Sequence, residues 1–168
     1  MDITPEILRD LLAYDPLTGI FTWKPRSEWY FPDGKTSPER RAAVWNGARA
    51  GRTALNTKHC AGYRMGRVFD KGILAHRAAW AVHYGAWPQG EIDHINRIRH
   101  DNRIENLRDV SRSINALNRN GGVSYETRRK HWVAYSGRAG KRTYLGSFPT
   151  EKEAQAAREA YLAAHVFG

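Results

Sequence analysis

Cysteine is almost absent: Cys60 is the only one in 168 residues. A lone thiol forms no internal disulfide and no cysteine-based zinc knuckle, as suits a reducing compartment. Long apolar runs are absent too, since none approaches the roughly 20 residues that a membrane span needs. The start, Met1-Asp2-Ile3-Thr4, is acidic and leads into a capped helix, unlike a secretory signal. These absences point to a cytoplasmic protein with no membrane partner. Negative charge is scarce, with 17 acidic residues against 27 Lys and Arg, a formal net charge of +10. A neutral small-molecule substrate calls for no such excess, whereas a polyanion turns it into affinity and encounter rate. Nucleic acid is therefore the expected partner class, ahead of an anionic membrane surface or charge that serves solubility alone. The length suits one modest domain or two or three very small ones.

Thr4 and Pro5 open a helix whose apolar side is Ile7, Leu8, Leu11 and Leu12. Asp15-Pro16-Leu17-Thr18-Gly19 forms a turn, followed by a strand from Ile20 to Trp23. From Lys24 to Lys58 proline and glycine break every pattern, and the stretch reads as a long basic loop carrying Arg40, Arg41, Arg49 and Arg52 for phosphates. A hairpin over Gly62–Val68 and Gly72–Leu74 turns at Asp70-Lys71-Gly72. A helix over His76–Tyr84, a strand over Glu91–His94, and a helix from Arg112 to about Arg119 capped by Ser111 come next. Asn120-Gly121-Gly122 forms a hinge. These signals divide the chain into residues 1–58 (helix, short strand and basic loop), 59–120 (hairpin, helices and the strand from Glu91 to His94) and 121–168 (three strands and a helix).

The densest chemistry lies between Asp93 and Asn115. Phosphodiester hydrolysis requires an activated water, relief of charge on the phosphoryl oxygens and support for the departing 3′ oxygen. One hard divalent cation supplies the last two and prefers oxygen ligands. The Asp93 carboxylate and the Asn115 amide oxygen are two such ligands, leaving room for waters and phosphate. His94 follows Asp93 on a strand, so its side chain points the other way, as a general base opposite a metal should. Asn106, returning across the loop, is placed to hold that loop and so the histidine. His76 either touches a phosphate or packs its helix on the hairpin. Taken singly, each of these residues is also an ordinary turn former or surface residue.

The segment His76-Arg77-Ala78-Ala79-Trp80, Asp93-His94, Asn102-Arg103-Ile104-Glu105-Asn106-Leu107-Arg108 and Asn115 resembles the HNH endonucleases, particularly the phage and intron-encoded homing type. Leu11 to Trp23, with Tyr14-Asp15-Pro16-Leu17-Thr18-Gly19, is similar to the leader preceding this unit in phage proteins. The resemblance implies a central ββα-metal unit, of the His-Me finger type, holding one divalent ion, Mg²⁺ with Mn²⁺ as a substitute. It implies His94 as the water-activating residue, Asn106 as the loop brace, and Asp93 and Asn115 as metal ligands, with Asn118 a competitor for the last position. Arg97, Arg99 and Arg103 become candidate DNA contacts. The family's last ligand is often histidine, so Asn115 is a variant.

Beyond the hinge, strands over Val123–Tyr125, His131–Ser136 and Arg142–Phe148 precede a helix opened by the capping box Thr150-Glu151-Lys152-Glu153. Trp132, Ala134 and Ser136 share one face by alternation; His131, Val133 and Tyr135 share the other. Gly122-Val123-Ser124-Tyr125, Lys130-His131-Trp132-Val133-Ala134 and Arg142-Thr143-Tyr144-Leu145-Gly146-Ser147-Phe148 resemble the ethylene-response-factor type DNA-binding domain. That domain reads DNA through its sheet, which implies Arg128, Arg129, Trp132, Arg138, Arg142 and Tyr144 as contacts, with Lys130 and Lys141 adding charge. The expected fold class is therefore α+β, a ββα-metal unit followed by a three-stranded antiparallel sheet on one helix. The expected function is a metal-dependent DNA endonuclease, a phage homing enzyme acting as a monomer that nicks one strand. The alternative is a non-catalytic DNA-binding regulator that retains the fold.

Overall fold

The computed structural model describes residues 2–118, 122–138 and 141–165, except the side chains of Leu117, Asn118, Arg138 and Lys141. Asn120 and Gly121 of the expected hinge, and Ala139 and Gly140 of the last expected turn, lie outside the described residues. The chain divides into two compact units, Met1–Asp109 and Val110–Gly168.

Unit 1 begins with α1 (Pro5–Leu11), where the Thr4 hydroxyl accepts a hydrogen bond from the Ile7 amide at 3.4 Å. That bond satisfies one of the amides a helix start leaves unpaired. Leu8 and Leu11 are fully buried. Helix α1 ends at Leu11, and Leu12 opens β1 (Leu12–Asp15), which runs antiparallel to β2 (Ile20–Trp23). Strand β3 (Thr53–Ala54) extends this sheet. A second sheet joins β4 (Thr57–Lys58), β5 (Arg64–Val68) and β6 (Lys71–Leu74). Its β5–β6 turn is at Phe69-Asp70, with φ of 48° and 62°, just before the expected Asp70-Lys71-Gly72. Two successive left-handed residues suit the right-handed twist of a tight hairpin.

Helix α3, preceded in the chain by α2 (Pro38–Arg49), spans Ala75–Tyr84. Its residues Ala75, Ala78, Ala79 and Ala81 are buried, and small side chains let α1 approach closely. The Arg9 guanidinium donates to the carbonyls of Val82 (2.7 Å) and His83 (3.3 Å), closing the C-terminal end of α3. One apolar core joins these pieces: Leu8, Leu11, Phe21 and Trp23 lie with Val68, Ile73, Ala78, Ile92 and Leu107. Each fully buried leucine there contributes about 1.5–3 kcal/mol.

The stretch expected to be a long basic loop contains α2, a correction with a clear physical cause. Ser37 caps its start, accepting from the Arg40 amide at 3.4 Å, and Pro38 occupies the first turn. Only Ala42 is buried within it. A helix without an apolar stripe escapes a search for hydrophobic periodicity.

After α3 come β7 (Glu91–His94) and β8 (Leu107–Val110), which form a two-stranded sheet, then α4 (Arg112–Asn118). Asp109 fixes the approach to β7, accepting from the amides of Gln89 (2.7 Å) and Gly90 (2.8 Å).

In unit 2, β9 (Val123–Glu126), β10 (His131–Arg138) and β11 (Lys141–Phe148) form an antiparallel sheet in the order β11-β10-β9. Helix α5 (Glu151–His165) packs on it, and burial of Ala154 and Leu162 covers apolar surface that a three-stranded sheet alone leaves open. The capping box forms as the sequence predicts: Glu153 accepts from the Thr150 amide at 3.1 Å and donates its own amide to the Thr150 hydroxyl at 3.3 Å. The whole is α+β, built from several small antiparallel sheets and helices. Among the described residues no helix is long and apolar enough to cross a membrane.

Candidate active site

Strand β7 places Asp93 and His94 side by side, and both are buried. Alternation sends their side chains to different neighbours. Asp93 meets β8, where Oδ2 accepts from Nε (2.8 Å) and Nη2 (2.6 Å) of Arg108. The His94 ring lies 5.1 Å from His76 and 5.8 Å from Tyr63, centroid to centroid. Its Nε2 lies 3.4 Å from Oδ1 of Asn102, an acceptor that favours the tautomer protonated at Nε2. Burial pushes the His94 pKa down, against the raising influence of Asn102, Asp93 and Asp101. The neutral imidazole is thus favoured, the form a general base needs.

His76 is buried between the rings of Tyr63 (4.9 Å) and His94. Its Nδ1 has no hydrogen-bond partner among the described residues. Burial, then the neighbouring His94 and Arg77, push its pKa down to about 3.

Asn106 pins the loop between β7 and β8 at two points. Its Oδ1 accepts from the Asn96 amide at 2.9 Å, and its Nδ2 donates to the Asp101 carbonyl at 2.8 Å. Its own carbonyl accepts from Ile95 N at 2.9 Å. Asn106 therefore shapes the loop, while Asn102 meets a nitrogen of the His94 ring.

Asn102, buried and absent from the expected site residues, is held by the leader. Tyr14 Oη donates to the Asn102 carbonyl at 2.7 Å, and the Ile104 amide donates to the Pro16 carbonyl at 3.1 Å. Gly19, at φ 72°, approaches so closely that a Cβ there would lie 2.5 Å from the Asn102 carbonyl carbon. Only glycine fits both the space and the left-handed backbone. The Tyr14–Gly19 turn is thus the backstop of the segment that touches His94.

The candidate DNA contacts differ in how they are held. Arg103 donates to both oxygens of Asp101 (2.9 and 2.8 Å) and to Glu105 (2.6 Å), and that guanidinium holds Asp101 down at about 2. Arg99 is exposed, donates to the Ala61 carbonyl at 2.8 Å and lies 5.4 Å from the Tyr63 ring centre. Arg97 is half-buried in a left-handed conformation, φ 63°.

In unit 2, Asn115 is half-buried on α4, whose Ser111 cap accepts from the Ile114 amide at 3.4 Å. The side chain of Asn118 lies outside the described part, as do those of Arg138 and Lys141. Arg128, Arg129 and Lys130 are exposed in the β9–β10 turn. Arg142 lies 3.9 Å from the Tyr135 ring centre, and Tyr135 pairs across the strands with exposed Tyr144. These three share a face, while Trp132 belongs with Ala134 on the opposite one. The sheet contacts implied by resemblance therefore fall on two faces.

Among the described residues no group of three or more His, Cys, Asp or Glu is placed to hold a metal ion. Unit 1 offers the Asp93 carboxylate, with one oxygen already on Arg108, and unit 2 offers the Asn115 amide.

A family model for HNH endonucleases matches residues 74–117, from the end of β6 through α3, β7 and β8 into α4. A partial HNH-type endonuclease domain is present over those residues. The match stops short of β9 and the sheet that follows. No curated protein and no solved structure matches the chain.

Proposed function

We propose that the chain is a metal-dependent HNH endonuclease that hydrolyses phosphodiester bonds in double-stranded DNA. The observation that carries this reading is the buried Asp93–His94 pair on β7, inside the matched segment, with its two side chains directed to different partners. His94 removes a proton from water, the new bond forms at phosphorus, and the P–O3′ bond breaks to leave a 5′ phosphate and a 3′ hydroxyl protonated by solvent. Asn102 orients the His94 ring, and Asn106 holds the loop that carries Asn102. Asp93 would hold a divalent ion, Mg²⁺ or Mn²⁺, which supplies charge relief on the phosphoryl and leaving oxygens, and the resemblance implies Asn115 as the second ligand. Their chemistry fits such an ion: both donors are hard oxygens, one of them charged. With one such centre per chain, a monomer nicks one strand. The Tyr14–Gly19 leader and the resemblance of unit 2 to the ethylene-response-factor type favour a phage homing role, with Arg142 and Tyr144 on the reading face.

A second reading, a DNA-binding protein with an inactive centre, draws on one observation. Arg108 already neutralises Asp93. Cleavage of supercoiled plasmid in Mg²⁺ separates the two. His94→Ala is expected to lower the rate by about 10²–10⁴, the range for removing a general base. An unchanged rate would remove His94 from the chemistry.

A further inference from the structure

A basin of about 930 Å³ opens beside α2, and none of the candidate active-site residues lines it. That size falls within the range of small-ligand sites. Four arginines line it, Arg26, Arg41, Arg49 and Arg67, against one acidic residue, Asp70. Helical spacing explains half of this set: Arg41, Trp45 and Arg49 recur at every fourth residue and so form one stripe of α2.

Arg26 sits at the centre of the basin's chemistry. Its guanidinium carbon lies 4.0 Å from the Trp45 ring centre, 5.0 Å from Trp23 and 5.4 Å from Phe69. Asn46 clamps its backbone on both sides, accepting from Arg26 N at 2.8 Å and donating to Arg26 O at 3.0 Å. Its Nε is buried without a hydrogen-bond partner among the described residues. Burial and the neighbouring Arg49 both push the Arg26 pKa down, so the charge is held there at a cost that an anion would relieve. Structural arginines of this degree of burial are normally matched by a carboxylate or by carbonyls. Arg41 has one such match, donating to the Pro32 carbonyl at 2.6 Å.

Paired bases present their edges and phosphates, but keep their faces stacked within the helix. An unpaired nucleotide presents a phosphate and a free π-face together, which is the combination this lining answers. We propose that the α2 basin binds an unpaired nucleotide of a DNA strand, with its phosphate at the arginines and its base against the aromatic rings. That the strand is DNA rests on the function proposed above; the nucleotide chemistry does not.

Fluorescence anisotropy of the full chain tests this with a labelled oligothymidylate and a blunt duplex of equal length at one fixed salt concentration. The variants are Arg49→Gln/Arg67→Gln, both exposed positions, and Trp45→Leu, with folding followed by circular dichroism. The arginine pair is expected to weaken oligothymidylate binding by about tenfold through lost phosphate contacts. Trp45→Leu is expected to do the same through lost stacking, while duplex binding changes by less than about threefold. Oligothymidylate binding that both variants leave intact would overturn the proposal, as would a duplex that weakens equally. If Trp45→Leu fails to fold, the arginine pair decides alone. A wild-type chain that binds oligothymidylate here but never cleaves plasmid sinks the nuclease reading and leaves the basin standing.

Discussion

Unit 1 uses arginine in two opposite ways. Along β8 and the loop before it, Arg108 and Arg103 lie on carboxylates, within 2.6–2.9 Å of Asp93, Asp101 and Glu105. Around α2, Arg26 lies among aromatic rings and Arg49 is exposed. A guanidinium matched to a carboxylate spends its charge locally and gives shape, whereas one stacked on rings keeps its field for a ligand. The formal +10 therefore says little about where a polyanion sits. Arg103 and Arg108 are neutralised beside the candidate centre, whereas the stretch expected to be a basic loop carries the more available charge at Arg26 and Arg49.

The strongest way to break this contrast is to remove Arg108. Arg108→Met leaves Asp93 buried without its cation, and is expected to cost about 3 kcal/mol in the absence of metal. If Asp93 also ligates a divalent ion, Mg²⁺ should restore part of the lost melting temperature in the variant and add less to the wild type. Equal responses would make Asp93 purely structural.

A smaller effect comes from the neighbouring histidine. Unfolded, His76 titrates at 6.5; folded, it is pushed to about 3. Between those values the unfolded chain binds a proton that the folded chain refuses, so stability falls as pH falls. The loss should reach about 2 kcal/mol by pH 5. Melting temperatures from pH 7 to pH 5 read it, and His76→Gln should flatten the slope; a slope that survives belongs to other groups, His94 first.

The smallest expected effect is at Arg103. Its charge already matched by Asp101 and Glu105, Arg103 should lower duplex affinity by less than about threefold when replaced by alanine. A loss comparable with that of the α2 arginines on their ligand would erase the distinction between the two groups.

Much of the candidate site was legible in sequence because its signals are local. The Asp93–His94 adjacency, the Ser111 cap and the 150–153 capping box each need only a few neighbouring residues. What escaped depends on tertiary approach. Asn102 looks like any turn-forming asparagine until Tyr14 and Gly19 close on it from more than 80 positions away. Arg108 acquires meaning only once β7 and β8 are paired. Helix α2 lacks an apolar face, yet Ser37-Pro38 marks its start clearly enough for a search based on caps. In unit 2, alternation predicts which residues share a face, and it is this rule that parts Trp132 from Arg142 and Tyr144.

The close approach of Gly19 to Asn102 also bears on how such a protein can be borrowed or trimmed. The family match begins at Leu74, but the surface that backs Asn102 is made by residues 14–19. A gene fragment cut to the matched borders would encode the candidate site's side chains without the turn that backs them. A recombination that transplants the centre has to carry the leader along, and Gly19 is a position where such a graft has no latitude.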